Sequence, residues 1–336
     1  MAKLPVNEIE VVGNLKRMDI REGQTKDGRE FVSATYTINV EGNEIRIENF
    51  AMKLKADSTE TGAYKSINTL FTEAKALFKT IRHVGEDKGE EVQDETIVEN
   101  IEDTSVLRFS NYNGFKYTRF ACNEYMSNGE LVKNTRIECA FPNRVEEGKD
   151  FKYKRDFEIC SLVKTAPVVV EKNEVEFMQM TVIVPTYQEA YGDRPEKVTL
   201  QEIKLVCHDT SAWGYLEDNF EVGSVVYLNG QIIRTIEKVE NEVEVDENRG
   251  FGRAIARQKS YTTNINDYLE ILGGYVLETD EVEEMPEFSQ ELWEKAKAEQ
   301  EQKEQEMKQE KPSEPSRTFG RSTTQSAPKK NNALPF

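Results

Sequence analysis

Aromatic and basic residues alternate in one short stretch of the chain, residues 112–120. The stretch contains four aromatic side chains and two cations, and it contains no acid. Aromatic rings stack on unpaired bases and cations follow phosphates, so this composition is typical of a surface that binds single-stranded nucleic acid. The alternative is a strand with one buried aromatic face, which is less favoured because the aromatics fall on both alternating faces. The candidate contacts are Tyr112, Phe115, Lys116, Tyr117 and Arg119.

A second candidate contact region is basic although it lies in a strongly acidic part of the chain. Residues 249–261 carry four cations and no acid, and such a local reversal of charge indicates a nucleic-acid site. The alternative is a loop whose cations balance the carboxylates of residues 242–247. Arg46 and Lys53, on a predicted strand, are weaker candidates because a lone surface cation is usually only solvated. The candidate contacts in the basic region are Arg249, Phe251, Arg253, Arg257 and Lys259.

The sequence carries no motif for catalysis or for metal binding. Its four cysteines are far apart without paired spacing, and it has only two histidines, which predicts neither a zinc site nor a disulfide framework. No phosphate-binding glycine loop, serine elbow or His-Glu metal motif occurs. Cys207, His208 and Asp209 are adjacent, but successive strand residues point to opposite faces and cannot converge. We therefore expect a protein that is not an enzyme and requires no cofactor.

Charge and composition limit the remaining functions. The chain has 336 residues, of which 37% are hydrophobic and 32% charged, and its formal net charge is −18. Acids outnumber bases in each of the segments 1–150, 151–280 and 281–336, so a nucleic-acid site must be a local basic groove on a repelling surface. No apolar run approaches the roughly 18 residues of a membrane helix, and no signal-peptide core follows the N-terminus. A soluble, cytoplasmic protein is expected.

The elements that position these residues are mostly strands, recognised by the alternation of apolar and polar residues. In residues 31–40 the even positions are mostly apolar and the odd ones polar, whereas residues 64–81 repeat at helical spacing. The predicted order in the first half is a strand at 8–20, a turn at 26–29, strands at 31–40 and 44–54, a helix at 64–81, an acidic loop or insertion at 85–103, and strands from 105–109 through a hairpin turning at 128–129 to about 141.

The same order recurs after the charged stretch 144–155. It comprises strands at 157–170, 175–184 and 196–207, a helix at 211–220, a strand at 223–236, a polar loop at 237–264 and a strand at 268–277. Five strands with a helix between the third and fourth is the order of an OB-fold, a barrel that commonly binds oligonucleotides or oligosaccharides. The predicted fold is all-β with minor α: two tandem five-stranded OB-fold barrels plus a disordered C-terminal tail. The predicted domains are 1–145, 155–279 and a tail at 280–336.

The tail loses both periodicities. Residues 287–311 have Glu and Lys at helical spacing but little to bury, which indicates either a solvated helix or disorder. Residues 312–332 have the composition of a flexible linker. The chain nevertheless ends on an apolar tip, Leu334, Pro335 and Phe336.

Three short motifs resemble bacterial single-stranded DNA-binding proteins. Val11-Val12-Gly13 resembles the first strand of that family, and the glycine-interrupted segment 223–232 resembles the strand that follows its helix. The ending Leu334-Pro335-Phe336 resembles the family's partner-binding tip. Lys329 and Lys330 precede this tip where the family usually has acids, so recruitment of partners is the more doubtful part of the resemblance.

The resemblance implies a stoichiometric function rather than a catalytic one. It implies a bacteriophage protein in the bacterial cytoplasm that coats single-stranded DNA without sequence specificity during replication, recombination and repair. Replication and recombination proteins would bind the C-terminal tip, and the chain could form a homodimer. The alternative is an OB-fold scaffold of a phage that binds proteins and not DNA, which the acidic composition favours. An accessory subunit of a nuclease or ligase is a third interpretation.

Overall fold

The structure is a computed structural model in which strands dominate and helices are few. It describes residues 4–25, 27–55, 58–77, 80–84, 95–99, 105–110, 118–127, 130–146, 148–172, 174–190, 195–241 and 260–309. The strands are β1 (Asn7–Gln24), β2 (Glu30–Val40), β3 (Asn43–Met52), β4 (Thr80–Val84), β5 (Glu95–Glu99), β6 (Val106–Phe109), β7 (Thr118–Ser127), β8 (Glu130–Cys139), β9 (Asn143–Arg144), β10 (Lys154–Lys172), β11 (Val175–Gln188), β12 (Lys197–Cys207), β13 (Val225–Asn241) and β14 (Ser260–Val276). The helices are α1 (Gly62–Leu77), α2 (Trp213–Asn219), α3 (Thr279–Glu283) and α4 (Gln290–Gln309), with a 3₁₀ turn at Pro286–Phe288.

The second half of the chain forms a closed five-stranded barrel. β10 pairs with β11, β11 with β12, β12 in parallel with β14, β14 with β13, and β13 with β10 again. The helix α2 lies between the third and fourth strands. This is the element order of an OB-fold, so the predicted five-stranded barrel is confirmed in this half.

Gly230 shows why this barrel needs a glycine in the middle of β13. A Cβ atom at this position would lie 2.0 Å from the backbone oxygen of Glu270 and 2.5 Å from the ring of Phe157. A β-bulge in the β13–β14 pairing begins at the same place, because Asn229 pairs with Gly273 but Gly230 with Ile271. Only glycine permits this close approach of two strands and a core ring.

The first half contains more strands than its sequence predicts. β1, β2, β3, β8 and β7 pair in that order, with β3 and β8 parallel, and α1 follows β3. α1 ends at Leu77, and β4 follows where the helix was predicted to continue. β5 and β6 pair with β1, β4 with β5, and β9 with β6. The prediction of a loop at 85–103 is therefore wrong for Glu95–Glu99.

The two halves share one sheet and one hydrophobic core. Residues 7–12 of β1 pair antiparallel with residues 154–159 of β10, and buried side chains from both halves form a single cluster. The rings of Phe120 and Phe157 meet at 5.6 Å. Nδ2 of the buried Asn7 donates hydrogen bonds to the backbone oxygen of Phe120 and to Oγ1 of Thr186, both at 3.1 Å. The halves are thus joined by backbone pairing, apolar contact and a buried polar bridge.

The C-terminal helices pack on this body. Trp293 of α4 is buried, its Nε1 donates a hydrogen bond of 2.6 Å to the backbone oxygen of Glu287, and its ring stacks on Phe288 at 5.7 Å. α4 also pairs with both halves, through Lys133 and Glu304 at 2.6 Å and through Lys197 and Glu299. Of the two interpretations of residues 287–311, the structure shows the helix as far as Gln309, and residues 310–336 lie outside the described residues.

The polar loop predicted at 237–264 is wrong at both of its ends. β13 continues to Asn241 and β14 begins at Ser260, so the two strands form a long hairpin. Residues 262–267 are all exposed, which removes the apolar alternation by which a half-buried strand is recognised. The prediction therefore failed where the strands leave the core.

Candidate nucleic-acid interface

The outer face of β1, β2 and β3 is continuous, and we call it the outer face below. It exists because every second residue of these strands enters the core; Val32, Tyr36 and Ile47, for example, are fully buried. The residues between them form cross-strand rows on the opposite side. From one end of the face to the other, the rows are Asn14–Asn39–Glu44, Arg17–Thr37–Arg46, Asp19–Thr35–Glu48 and Arg21–Ser33–Phe50.

Phe50 is the aromatic platform of the outer face. Its side chain is 58% exposed although the two residues beside it on β3, Asn49 and Ala51, are buried. Its ring lies 5.0 Å from that of Phe31, with an angle of 33° between the planes. A large apolar ring held on a polar face by a second ring is available to stack on a base.

Two cations predicted as contacts lie at different places on this face. Arg46 is exposed opposite Thr37, and it belongs to none of the ion pairs found among the described residues. Lys53 lies beyond the end of β3, where Nζ is 2.7 Å from a Glu30 carboxylate oxygen. This hydrogen bond is the main cause that raises the pKa of Lys53. Arg46 is therefore open to a phosphate, whereas Lys53 already has an anion.

A groove of about 570 Å³ continues the outer face onto β8 and β7. Phe50, Arg119 and Arg136 line it, together with Glu48 and Glu138. Arg136 lies 3.3 Å from Glu48 and also pairs with Glu138, which Arg119 approaches at 3.8 Å. Exposed ion pairs of this kind contribute about 0–1 kcal/mol, so a phosphate can compete for these guanidinium groups.

The structure brings together Arg46, Arg119 and the Phe50 platform, and it places Lys53 at the end of the same face. The remaining sequence-predicted contacts lie outside the described residues: Tyr112, Phe115, Lys116 and Tyr117 in the first half; Arg249, Phe251, Arg253, Arg257 and Lys259 in the second; and Leu334, Pro335 and Phe336 at the C-terminus.

The long β13–β14 hairpin connects the second basic region to the first half. The backbone nitrogen of Arg234 on β13 donates a hydrogen bond of 3.1 Å to Oδ1 of Asn43, at the turn between β2 and β3. The described strands end at Asn241 and Ser260. Residues 242–259, which contain the basic region, connect these two ends in sequence.

Cys207, His208 and Asp209 point to separate surroundings, as expected from their succession. Cys207 is buried, and burial raises the pKa of its thiol. His208 Nδ1 is 2.6 Å from Oε2 of Glu270. Asp209 accepts hydrogen bonds from the hydroxyl and backbone nitrogen of Ser211, which lower its pKa. These three residues do not converge on one point.

Sequence reasoning missed Phe50, Arg136 and a basic aromatic segment at the junction of the two halves. Phe151-Lys152-Tyr153-Lys154-Arg155 nearly repeats the pattern of residues 115–119, and that repetition is the signal that could have found it. The rings of Phe151 and Tyr153 meet edge to face at 5.2 Å. We call residues 151–155 the junction strip.

Two searches of the described residues had negative outcomes. No group of three or more His, Cys, Asp or Glu side chains is arranged to hold a metal ion in the part of the chain that the structure describes. Among the helices of that part, none is both long and apolar enough to span a membrane.

Comparisons with known proteins find one family and two similar structures. A family model described as YorF matches residues 5–105 and 119–310. No curated protein sequence matches the chain. A crystal structure of a deletion mutant of the single-stranded DNA binding protein from Thermus aquaticus aligns with a TM-score of 0.41 and 9% identity, covering 83% of this chain and 98% of that one. The wild-type protein from Thermus aquaticus aligns with a TM-score of 0.40 and 9% identity, covering 81% and 93%.

Proposed function

This chain belongs to the YorF family, and we propose that it binds single-stranded DNA on the outer face, without sequence specificity. One observation carries the proposal: the exposed Phe50 ring, held by Phe31, lies on the same strand as the unpaired Arg46. A ring that can stack on any base and a cation that can bind a phosphate are the two components of such a site. The face also belongs to the first three strands of its unit, the position that OB-folds use for oligonucleotides.

The proposal includes the finer organisation of the chain. The first half is a diverged OB barrel, supported by the parallel pairing of β3 with β8, which repeats that of β12 with β14. Its domain is 1–145, the second domain is 155–279, and the tail is 280–336. The predicted contacts outside the described residues remain part of the proposed site. The cellular role is protection of exposed strands during phage replication, recombination and repair in the bacterial cytoplasm.

Titration with oligo(dT) at low and high salt tests this proposal. We expect binding that falls as salt rises, because phosphate contacts release counterions, and much weaker binding to duplex DNA, because stacking needs unpaired bases. Phe50→Ala removes the platform and should weaken oligo(dT) binding about tenfold, within the range for one lost stacking contact. Tyr215→Ala is the matched control, since Tyr215 on α2 is 49% exposed and lies outside the proposed site.

Equal affinity for duplex and single-stranded DNA would contradict the proposal, as would no binding to a long oligo(dT). If Phe50→Ala and Tyr215→Ala bind alike, the protein binds DNA at another surface.

A scaffold that binds proteins and not DNA is the second candidate function. It is favoured by the net charge of −18 and by the carboxylates that already pair with Arg119, Arg136 and Lys53. These acids repel a polyanion at long range. Absence of oligo(dT) binding together with retained capture of protein partners would select this function.

The apolar tip is proposed to dock partner proteins independently of DNA. Deleting Phe336 should leave oligo(dT) affinity within about twofold, because an exposed C-terminal Phe and its carboxylate suit a pocket on a protein. The same deletion should abolish pull-down of host or phage replication proteins. Because Lys329 and Lys330 replace the usual acids, steering to a basic partner should be weak. Unchanged pull-down would show that the tip is not the docking element.

A further inference from the structure

The junction strip presents an aromatic ring that is already held in place. Tyr153 is 40% exposed, and its hydroxyl accepts a hydrogen bond of 3.1 Å from Nδ2 of Asn14 on β1. The ring of Phe151 contacts it edge to face at 5.2 Å. A ring fixed from two sides loses little further freedom when a ligand stacks on it, so binding there costs less entropy.

Cations surround this ring. Arg108 on β6 and Lys154 on β10 both face Val12 of β1, and both reach the carboxylate of Glu10, at 3.9 and 2.6 Å respectively. Lys152 is exposed and takes part in none of the ion pairs found in the described residues.

The acids near the strip do not cancel this charge. Besides Glu10, which is shared by two cations, the exposed Asp150 precedes the strip in sequence. Lys152 is therefore open to a phosphate. Lys154 can exchange a surface carboxylate for a phosphate at small cost, since exposed pairs contribute about 0–1 kcal/mol.

The strip also adjoins the outer face. Asn14, which holds Tyr153, lies in the row directly before that of Arg46. The two residues are two strands and one row apart, roughly 12 Å by ordinary strand spacings. Tyr153, Asn14 and Arg46 are thus neighbours on one side of the sheet, and no strand separates the strip from the face.

We infer that the junction strip is a second contact site for single-stranded DNA, on which a strand leaving the outer face continues toward the second barrel. Tyr153 stacks on a base, and Lys152 and Lys154 bind flanking phosphates. This inference rests on the proposed function, because it assigns a further part of the same ligand. It predicts that a long strand, but not a short one, uses the strip.

Oligonucleotides of two lengths test the inference. We use oligo(dT) of about 8 nucleotides, which fits within one OB-fold, and of about 30, which exceeds it. Combined Lys152→Ala and Tyr153→Ala should weaken binding of the long oligonucleotide about tenfold and that of the short one less than about twofold. Tyr153→Phe keeps the ring and should bind as the unchanged protein does. Tyr215→Ala again serves as the exposed-tyrosine control.

A second measurement avoids substitution altogether. Photocrosslinking of the unchanged protein to an oligonucleotide containing 5-iodouracil should label Tyr153 or Phe151, identified by peptide mass spectrometry. The inference is overturned if the double variant binds the long oligonucleotide normally while Phe50→Ala remains weakened, or if crosslinks avoid the strip. If the unchanged protein binds neither oligonucleotide, the proposed function fails and the inference fails with it.

Discussion

Gly230→Ala should destabilise the protein by roughly 3 kcal/mol or more, the upper range for overpacking a closely packed core. The added methyl carbon would lie 2.0 Å from the Glu270 oxygen and 2.5 Å from the Phe157 ring. One neighbour is backbone and the other is a ring packed at the junction of the two halves, so neither can withdraw without disturbing the sheet. The midpoint of urea unfolding, followed by circular dichroism, measures the loss.

Gly214→Ala on α2 is the matched control for this substitution. A Cβ atom at Gly214 meets no atom within 4 Å, and alanine in a helix is about 1 kcal/mol more favourable than glycine. This variant should be as stable as the unchanged protein or slightly more so. Similar midpoints for the two variants would show that β13 and β14 do not approach as closely as described.

Replacing Arg253, Arg257 and Lys259 together with alanine should weaken oligo(dT) binding by roughly tenfold to a hundredfold at low salt. The reason is local: these cations lie between the ends of a hairpin that contacts the first half at Asn43. Each lost phosphate contact lowers the slope of log affinity against log salt by about 0.7 for single strands. The slope should therefore fall by about 2 in all. Titrations at several salt concentrations give both quantities.

A charge-matched variant separates a local effect from a global one. Alanine at Lys65, Lys172 and Lys295 removes three exposed cations elsewhere, so that each triple variant changes the net charge from −18 to −21. If both variants lose the same affinity and slope, overall repulsion explains the effect and the basic region is not a contact.

The sequence was sufficient to predict the second barrel because its strands are half buried. Met178, Met180 and Val182 face the core at every second position of β11, and such alternation is the primary signal of a strand. The same signal fails for Glu95–Glu99, which is a short strand on the far edge of β1. It also fails in the stems of the β13–β14 hairpin, where residues on both faces are exposed. Pairing with a partner, not burial, determines these strands.

The candidate site was only partly predictable for a related reason. Arg46 was recognised as a cation on a strand, but Phe50 was missed because it lies out of phase with its neighbours. On β3 the small Ala51 and the polar Asn49 face inward while the larger, apolar Phe50 faces outward. Hydrophobicity alone would assign the opposite orientation. The register with β2, which places Phe50 opposite Ser33, resolves the ambiguity.

The backbone pairing of β1 with β10 has a consequence for how the chain can be divided. A fragment ending near residue 150 would leave Asn7 to Val12 without the strand that pairs with them, and the complementary fragment would bare the other edge. Exposed strand edges beside apolar side chains such as Phe157 promote aggregation or exchange between molecules. The two halves therefore form one cooperative unit that melts in a single transition, and neither is an autonomous module that can be excised, swapped or studied apart.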